Sequence, residues 1–171
     1  EDIHRGVQPL YDPSGTIPAL RTVNVTPQGI NNTRQELVSA AFAASKKKGC
    51  VLPGDILITS TGVGTLGRAA YFDEDAPAFA DGHITIIRRL TAYEPTVLVT
   101  FLQCRFGQAM IERRQRGSSG QIEIYPFDFA DMPIPDVSET ARDVVKSNCV
   151  QAHALRQQSR SLGDSDRRPW P

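Results

Sequence analysis

The chain is poor in the residues that most readily announce a chemistry. In 171 residues it has three cysteines, three histidines and one tryptophan. Cys50, Cys104 and Cys149 are odd in number, widely spaced and outside any CxxC or Cys/His pairing. Neither a disulfide framework nor a zinc site is expected of them, and reduced thiols in a cytoplasmic protein are the reading they support. No segment approaches the roughly 18 apolar residues of a membrane span, and no basic-then-apolar signal segment opens the chain, so no membrane partner is expected. Net charge is absent as well, with 19 Lys+Arg against 19 Asp+Glu. A free-standing, non-specific nucleic-acid binder is usually basic over its whole domain, so any basic face here must be local.

Catalytic constellations are missing too. His4, His83 and His153 are scattered, Ser118 and Ser119 lie in no nucleophile elbow, and Asp81 with His83 forms only a two-residue neighbourhood. No nucleophile, base and orienter come together in the sequence, and a non-catalytic protein is expected. The one spelling that suggests a cofactor is Gly62-x-Gly64-x-x-Gly67, which follows the apolar run Ile56–Ile58. A dinucleotide site needs a helix to open there, so that the pyrophosphate rests on its N-terminus. Here Ala69-Ala70-Tyr71-Phe72 leads within a few residues to the acidic turn Asp73–Pro77, which favours a strand. No Gly-Lys-Ser/Thr follows the glycines, so a phosphate loop is excluded, and no cofactor is expected.

What is present is a strand, loop and sheet pattern centred on residues 54–89. Ile56–Ser60 and Arg68–Phe72 read as strands joined by the glycine loop, and Asp81-Gly82 reads as a hairpin signal leading into the strand Ile84–Ile87. Upstream, residues 1–18 hold Pro9, Pro13 and Pro18 and read as irregular with short strand pieces. Ala19–Val25 alternates as a strand, Pro27, Gly29, Asn31 and Asn32 supply a turn, and Thr33–Ala44 has near-helical spacing. Downstream, Pro95 is placed to start a helix that is interrupted around Cys104–Phe106 and continues to Arg116, with Gly117 as its stop. Ile122–Tyr125 alternates as a strand, with Phe127, Phe129 and Met132 as core residues. Val137, Ala141, Val144, Ala152 and Leu155 then recur at helical spacing as a thin stripe suited to a partner helix.

The loops are rich in groups that suit DNA: Thr61, Thr65 and Arg68 in the first, and Ser118, Ser119 and Gln121 in another with Arg113, Arg114 and Arg116 close by in sequence. Arg and Gln can pair with base edges, while Ser, Thr and glycine amides reach phosphate oxygens. His83 joins this set. The run Lys46-Lys47-Lys48 reads either as a solvated loop or as a phosphate-facing edge.

The ordered motifs GDILITSTGVGTLGRAAYF, DGHITIIRR, FLQCRFGQAMIERRQRGSSGQIEI and FDFADMPIPDVSETARDVV resemble the target recognition domain of the type I restriction–modification specificity subunit, followed by the start of its spacer helix. The resemblance covers about residues 1–160. It implies an α+β fold: a twisted, mainly antiparallel β-sheet domain over 1–135 with a few packed helices, a long spacer or dimerisation helix over 136–162, and a flexible tail over 163–171. It further implies a module that reads one half of a split double-stranded DNA target and docks methyltransferase subunits, with a motor-nuclease subunit joining for cleavage in phage defence. Methylation would use S-adenosylmethionine in those partners. The chain holds one recognition domain and one helix where a complete specificity subunit has two of each, and it lacks an Asn-Pro-Pro-Tyr-type methylation motif. A half-subunit dimerising through the helix, a fragment beginning at Glu1, and the C-terminal domain of a fused adenine methyltransferase all remain open. The competing expectation is a protein-interaction adaptor of the same fold with no DNA contact.

Overall fold

The computed structural model describes residues 2–33, 35–88, 93–118 and 121–165. It is a mixed α+β structure whose chain divides into two compact units between Ile134 and Pro135. In the first unit, one sheet has the order β1 (Asp2–Arg5), β10 (Ile84–Arg88), β7 (Ile56–Thr59), β8 (Ala69–Tyr71), all antiparallel. The second has the order β5 (Glu36–Val38), β2 (Ile17–Leu20), β9 (Ala78–Ala80), β6 (Cys50–Val51). There β2 and β9 run parallel and the other pairs antiparallel. A small hairpin pairs β3 (Val25–Thr26) with β4 (Gly29–Ile30).

The apolar run of β7 is explained by burial on both faces. Successive strand residues point to opposite sides of a sheet. Leu57 accordingly joins Ile84, Ile86 and Ala70 in a core shared with Leu20, Val51, Ala78 and Ala80 of the second sheet and with Val25 and Ile30 of the hairpin. Ile56 and Ile58 face the other way, toward Leu98, Leu102, Ile111, Ile124, Phe129 and Met132. Each such side chain contributes about 1.5–3 kcal/mol on burial. The outer face of the second sheet is covered by α1 (Ala40–Ser45), where Phe42 packs on Phe79 at 5.4 Å between ring centroids.

Three further helices lie against the first sheet. The chain enters α2 (Pro95–Gln103) with proline in its first turn, where a missing N–H costs nothing. It breaks at Cys104 and resumes in α3 (Arg105–Arg114). Gly107 permits this close turn, because a Cβ there would lie 2.2 Å from the Phe101 carbonyl oxygen. The helix ends at Arg114, two residues before the expected Arg116, whose backbone instead pairs with Glu123. Ile122–Tyr125, expected to be a strand, forms only isolated bridges through Glu123. In α4 (Pro126–Ala130), Phe129 is buried but Phe127, expected in the core, is 56% exposed, its ring stacked on Tyr125.

Other expectations also need correction. Thr33–Ala44 is not one helix: Glu36–Val38 pairs with β2 as a strand, and helix begins only at Ala40, capped by the Ser39 hydroxyl. Ala19–Val25 is split by a turn in which the Asn24 amide nitrogen donates to the Arg21 carbonyl. Asp81-Gly82 is not the turn of a hairpin, since β9 and β10 belong to different sheets and the chain crosses between them here. The second unit contains α5 (Glu139–Ser165), whose Ser138 hydroxyl accepts from the Ala141 amide. Residues 163–165 of the expected tail are helical, and 166–171 lie outside the described residues. No helix among the described residues is long and apolar enough to cross a membrane.

The crossing fixes the relation of the two sheets. Asp81 N donates to Leu20 O at 2.9 Å, Val7 N to Ala80 O at 3.0 Å, and Gly6 N to Ile84 O at 2.8 Å. Gly6 is held so closely that a Cβ would lie 2.4 Å from the carbonyl oxygens of both Ala80 and Asp81. The Gly6→Ala variant is therefore expected to lose about 2 kcal/mol of stability, as overpacking of a tight site does. Urea denaturation checks this, with a lower midpoint and an unchanged m-value expected.

Candidate functional site

The glycine loop joins β7 to β8 and opens no helix. Gly62, Gly64 and Gly67 have φ of 100°, 78° and 82°, values that favour glycine, and they let the chain fold back on itself. Gly67 N donates to Thr59 O at 2.8 Å, and Gln108 Nε2 donates to Gly67 O at 3.0 Å. The loop's polar side chains serve this turn. Thr65 Oγ1 donates to Thr61 O at 3.2 Å, Arg68 Nη2 donates to Gly64 O at 2.8 Å, and the Thr59 hydroxyl donates to Thr65 O. Thr65 and Arg68 are thus turned toward their own backbone, leaving Val63 exposed at the tip.

The second polar loop lies directly beside the first. Thr61 bridges to Glu123, Gly62 N donates to Ile122 O at 3.1 Å, and Ile124 N donates to Ser60 O at 2.9 Å. Arg116 and Glu123 exchange both backbone hydrogen bonds, closing the segment that carries Ser118 and Gln121 outward, both exposed. Ser119 lies outside the described residues. Of the three arginines, Arg113 is exposed, Arg114 Nη1 donates to Met110 O at 3.2 Å, and Arg116 is committed to Asp128. Both Arg116 Nη1 and Nη2 donate to that carboxylate, and the guanidinium lies 5.6 Å from the Tyr125 ring centroid and 5.1 Å from that of Phe127.

This clamp shapes the local electrostatics. Burial pushes the Asp128 carboxyl up. The hydrogen bonds from Arg116 and from the Tyr125 amide, with the charges of Arg116 and Arg114, outweigh it and hold the group below the usual carboxylate range. The Asp128 hydrogen bond in turn raises Arg116. Glu123 accepts from the Tyr125 hydroxyl and from Arg5 Nη2 at 3.1 Å, and these bonds hold it low while Tyr125 is raised. Arg116 is therefore engaged within this loop, while its side chain stays half exposed.

The structure does not bring the lysine run to these loops. Lys46, Lys47 and Lys48 are exposed, but Lys48 O accepts from His4 Nε2 at 3.0 Å and the adjoining Cys50 O accepts from Arg88. Arg88 stands at the end of β10 remote from Ile84, whose partner Thr59 precedes the glycine loop. The helix positions Ala141, Val144, Ala152 and Leu155 all lie on α5, with Val144 and Leu155 exposed, and Val137 precedes it.

His83, by contrast, is at the centre. Its carbonyl accepts from Ser60 N at 2.8 Å, and its Nε2 is 4.0 Å from Asp81 Oδ1. It also lines an open polar cleft of about 700 Å³ with Arg21, Thr22, Val23, Asn31, Thr33 and Asp81. The cleft walls are set from beneath by Asn24, which is only 1% exposed. Its Oδ1 accepts from Arg21 N at 2.9 Å and its Nδ2 donates to Asn31 O at 2.9 Å. Sequence reasoning missed Arg21, Asn31 and Thr33. The pair Asn31-Asn32 read only as turn chemistry, though an Asn/Thr-rich turn between two short strands was the available signal.

Seven chains of solved structures match this one. One, from a structure concerned with complex assembly and conformational transition of the type I R-M system, superposes with a TM-score of 0.61 at 17% sequence identity. The match covers 95% of this chain and 40% of that chain, so this chain spans well under half of its neighbour's length. No family model and no curated protein matches. The likeness establishes a shared fold across nearly the whole chain.

The Asp128 clamp gives a pH prediction. A carboxyl whose folded pKa is depressed contributes stability above its unfolded pKa and loses it as pH falls through the folded value. The native chain is expected to exceed Asp128→Asn in stability at neutral pH, with the gap closing below about pH 4. Urea unfolding of both at pH 7 and pH 3 measures it.

Proposed function

We propose that this chain is a sequence-specific DNA recognition module of a restriction–modification complex, reading one half of a split target and docking methyltransferase or nuclease subunits. The observation that carries the reading is the likeness to a chain of a type I R-M system over 95% of this chain. The surface chemistry supports it. At one end of the first sheet, the paired loops present Ser118 and Gln121 outward and the last turn of α3 exposes Arg113, residue types that reach phosphates and base edges. Such a module carries out no bond chemistry of its own, and methyl transfer belongs to its partners. Helix α5, at about 1.5 Å per residue, is roughly 40 Å long, a length suited to a spacer. Its exposed Val144, Val150 and Leu155 suit packing on a helix of a partner or of a second copy.

Binding of duplex DNA by the chain assembled with its methyltransferase partner, followed by gel shift over a salt series, tests the reading. Arg113→Ala is expected to weaken binding about equally on all sequences and to reduce the salt slope by about one, as loss of a phosphate contact does. Gln121→Ala is expected to weaken it while leaving the fold intact. A partner complex that forms normally but shows no salt-dependent DNA binding would favour the adaptor role instead.

A further inference from the structure

The groups that the sequence offers most openly to DNA are largely consumed by the protein. Thr65 and Arg68 bond their own loop, Arg114 bonds Met110 O, and Arg116 is clamped by Asp128. The cleft beside them has the opposite character, with polar groups held in place and directed outward. We infer that the rim of this cleft, formed by the Arg21–Asn24 turn, the Asn31–Thr33 turn and the Asp81–His83 turn, reaches the acceptor-bearing major-groove edge of a DNA base pair, with Asn31 as its principal reading residue. The inference rests on the DNA-recognition reading above.

Three observations carry it. The first is the state of Asn31. Its Oδ1 accepts from Thr33 N at 2.9 Å and from Thr33 Oγ1 at 2.7 Å. The acceptor end is therefore used by the turn, and the amide orients as a donor: among the described residues Nδ2 has no protein acceptor. A donor so fixed matches purine N7, guanine O6 or thymine O4 in the major groove, and it does not match an amino group.

The second is the composition of the cleft. Thr22 and His83 add donors around Asn31, and Arg21 lines the same wall with its Nη1 3.9 Å from Glu36 Oε1. Among the described residues that line the cleft, the one carboxylate, Asp81, is buried, and its Oδ1 accepts from His83 N at 2.7 Å. Exposed Val23 lies at the same surface, where an apolar side chain can meet a thymine methyl. The third is support from below. Buried Asn24 ties both cleft walls through bonds to Arg21 and Asn31, which is how a reading position is kept rigid before its ligand arrives. The cleft is also continuous with the paired loops, since the His83 carbonyl accepts from Ser60, the neighbour of Thr61.

The test uses the chain assembled with its methyltransferase partner and a library of duplexes randomised over the bound region, with enriched sequences determined for the native chain, Asn31→Asp and Arg113→Ala in that assembly. Asn31→Asp keeps the Oδ1 acceptor on which the turn depends but replaces the donor by a second acceptor. Its added charge acts on every duplex alike, so the readout is the ratio of preferred to non-preferred binding. The native chain is expected to enrich one sequence. Asn31→Asp is expected to change that preference or reduce the ratio about tenfold or more, while Arg113→Ala keeps the preference and binds more weakly throughout. Enrichment of the same sequence by Asn31→Asp, with weakening uniform across duplexes, would overturn base reading by the cleft and leave DNA recognition standing. A native chain that enriches nothing would remove both.

Discussion

The chain crosses from one sheet to the other between Ala80 and Ile84, and the rest of the first unit depends on that crossing. Where β9 leaves the second sheet, Asp81 is hydrogen-bonded to Leu20, and where β10 begins, Ile84 is bonded to Gly6. The segment is thus tied to both sheets within five residues. It sets which face of β10 meets the shared core, where Ile84 and Ile86 lie, and leaves Ile87 to the helices. It also fixes His83, which stands where the cleft and the paired loops meet. Asp81 is buried because it serves this corner: its carboxylate accepts from His83 N, satisfying a backbone donor that a tight turn would otherwise leave unpaired.

Much of the scaffold was legible in the sequence because it rests on local signals. The Ile56–Thr59 strand, the break at Cys104 and the helix start at Pro95 follow from apolar runs and from proline chemistry, and each lies within two residues of its expected place. The missing helix after Gly67 was also readable, from the shortness of Ala69–Phe72. What could not be read depends on partners far away in sequence. Asp81-Gly82 has the local form of a hairpin turn, but β9 is held by β2 and β6, so the same dipeptide makes a corner. Glu36–Val38 is a strand because β2 is available to pair with it, against its own near-helical spacing.

The candidate site divides along the same line. That the loops around Thr61 and Ser118 belong together was a compositional guess, and Thr61 pairing with Glu123 makes it a geometric fact. Residue type, however, says nothing about whether a side chain is already engaged. Arg116 and Arg113 look alike in sequence. The structure separates them because Asp128, twelve residues on from Arg116, takes one and not the other. Arg21, Asn31 and Thr33 went unnoticed because each is ordinary alone, and only the fold assembles them around one opening.

The placement of Asn24 has a consequence for how such a protein could change over generations. The two turns are tied together by a buried amide, while the side chains displayed at Val23 and His83 are exposed. Substitutions at exposed positions usually alter stability by little. The form of the surface and the content it displays are therefore encoded at different sites. A lineage could revise what the cleft prefers by drift at its rim without approaching the threshold at which the fold fails, and selection for new preferences would not have to rebuild the molecule to obtain them.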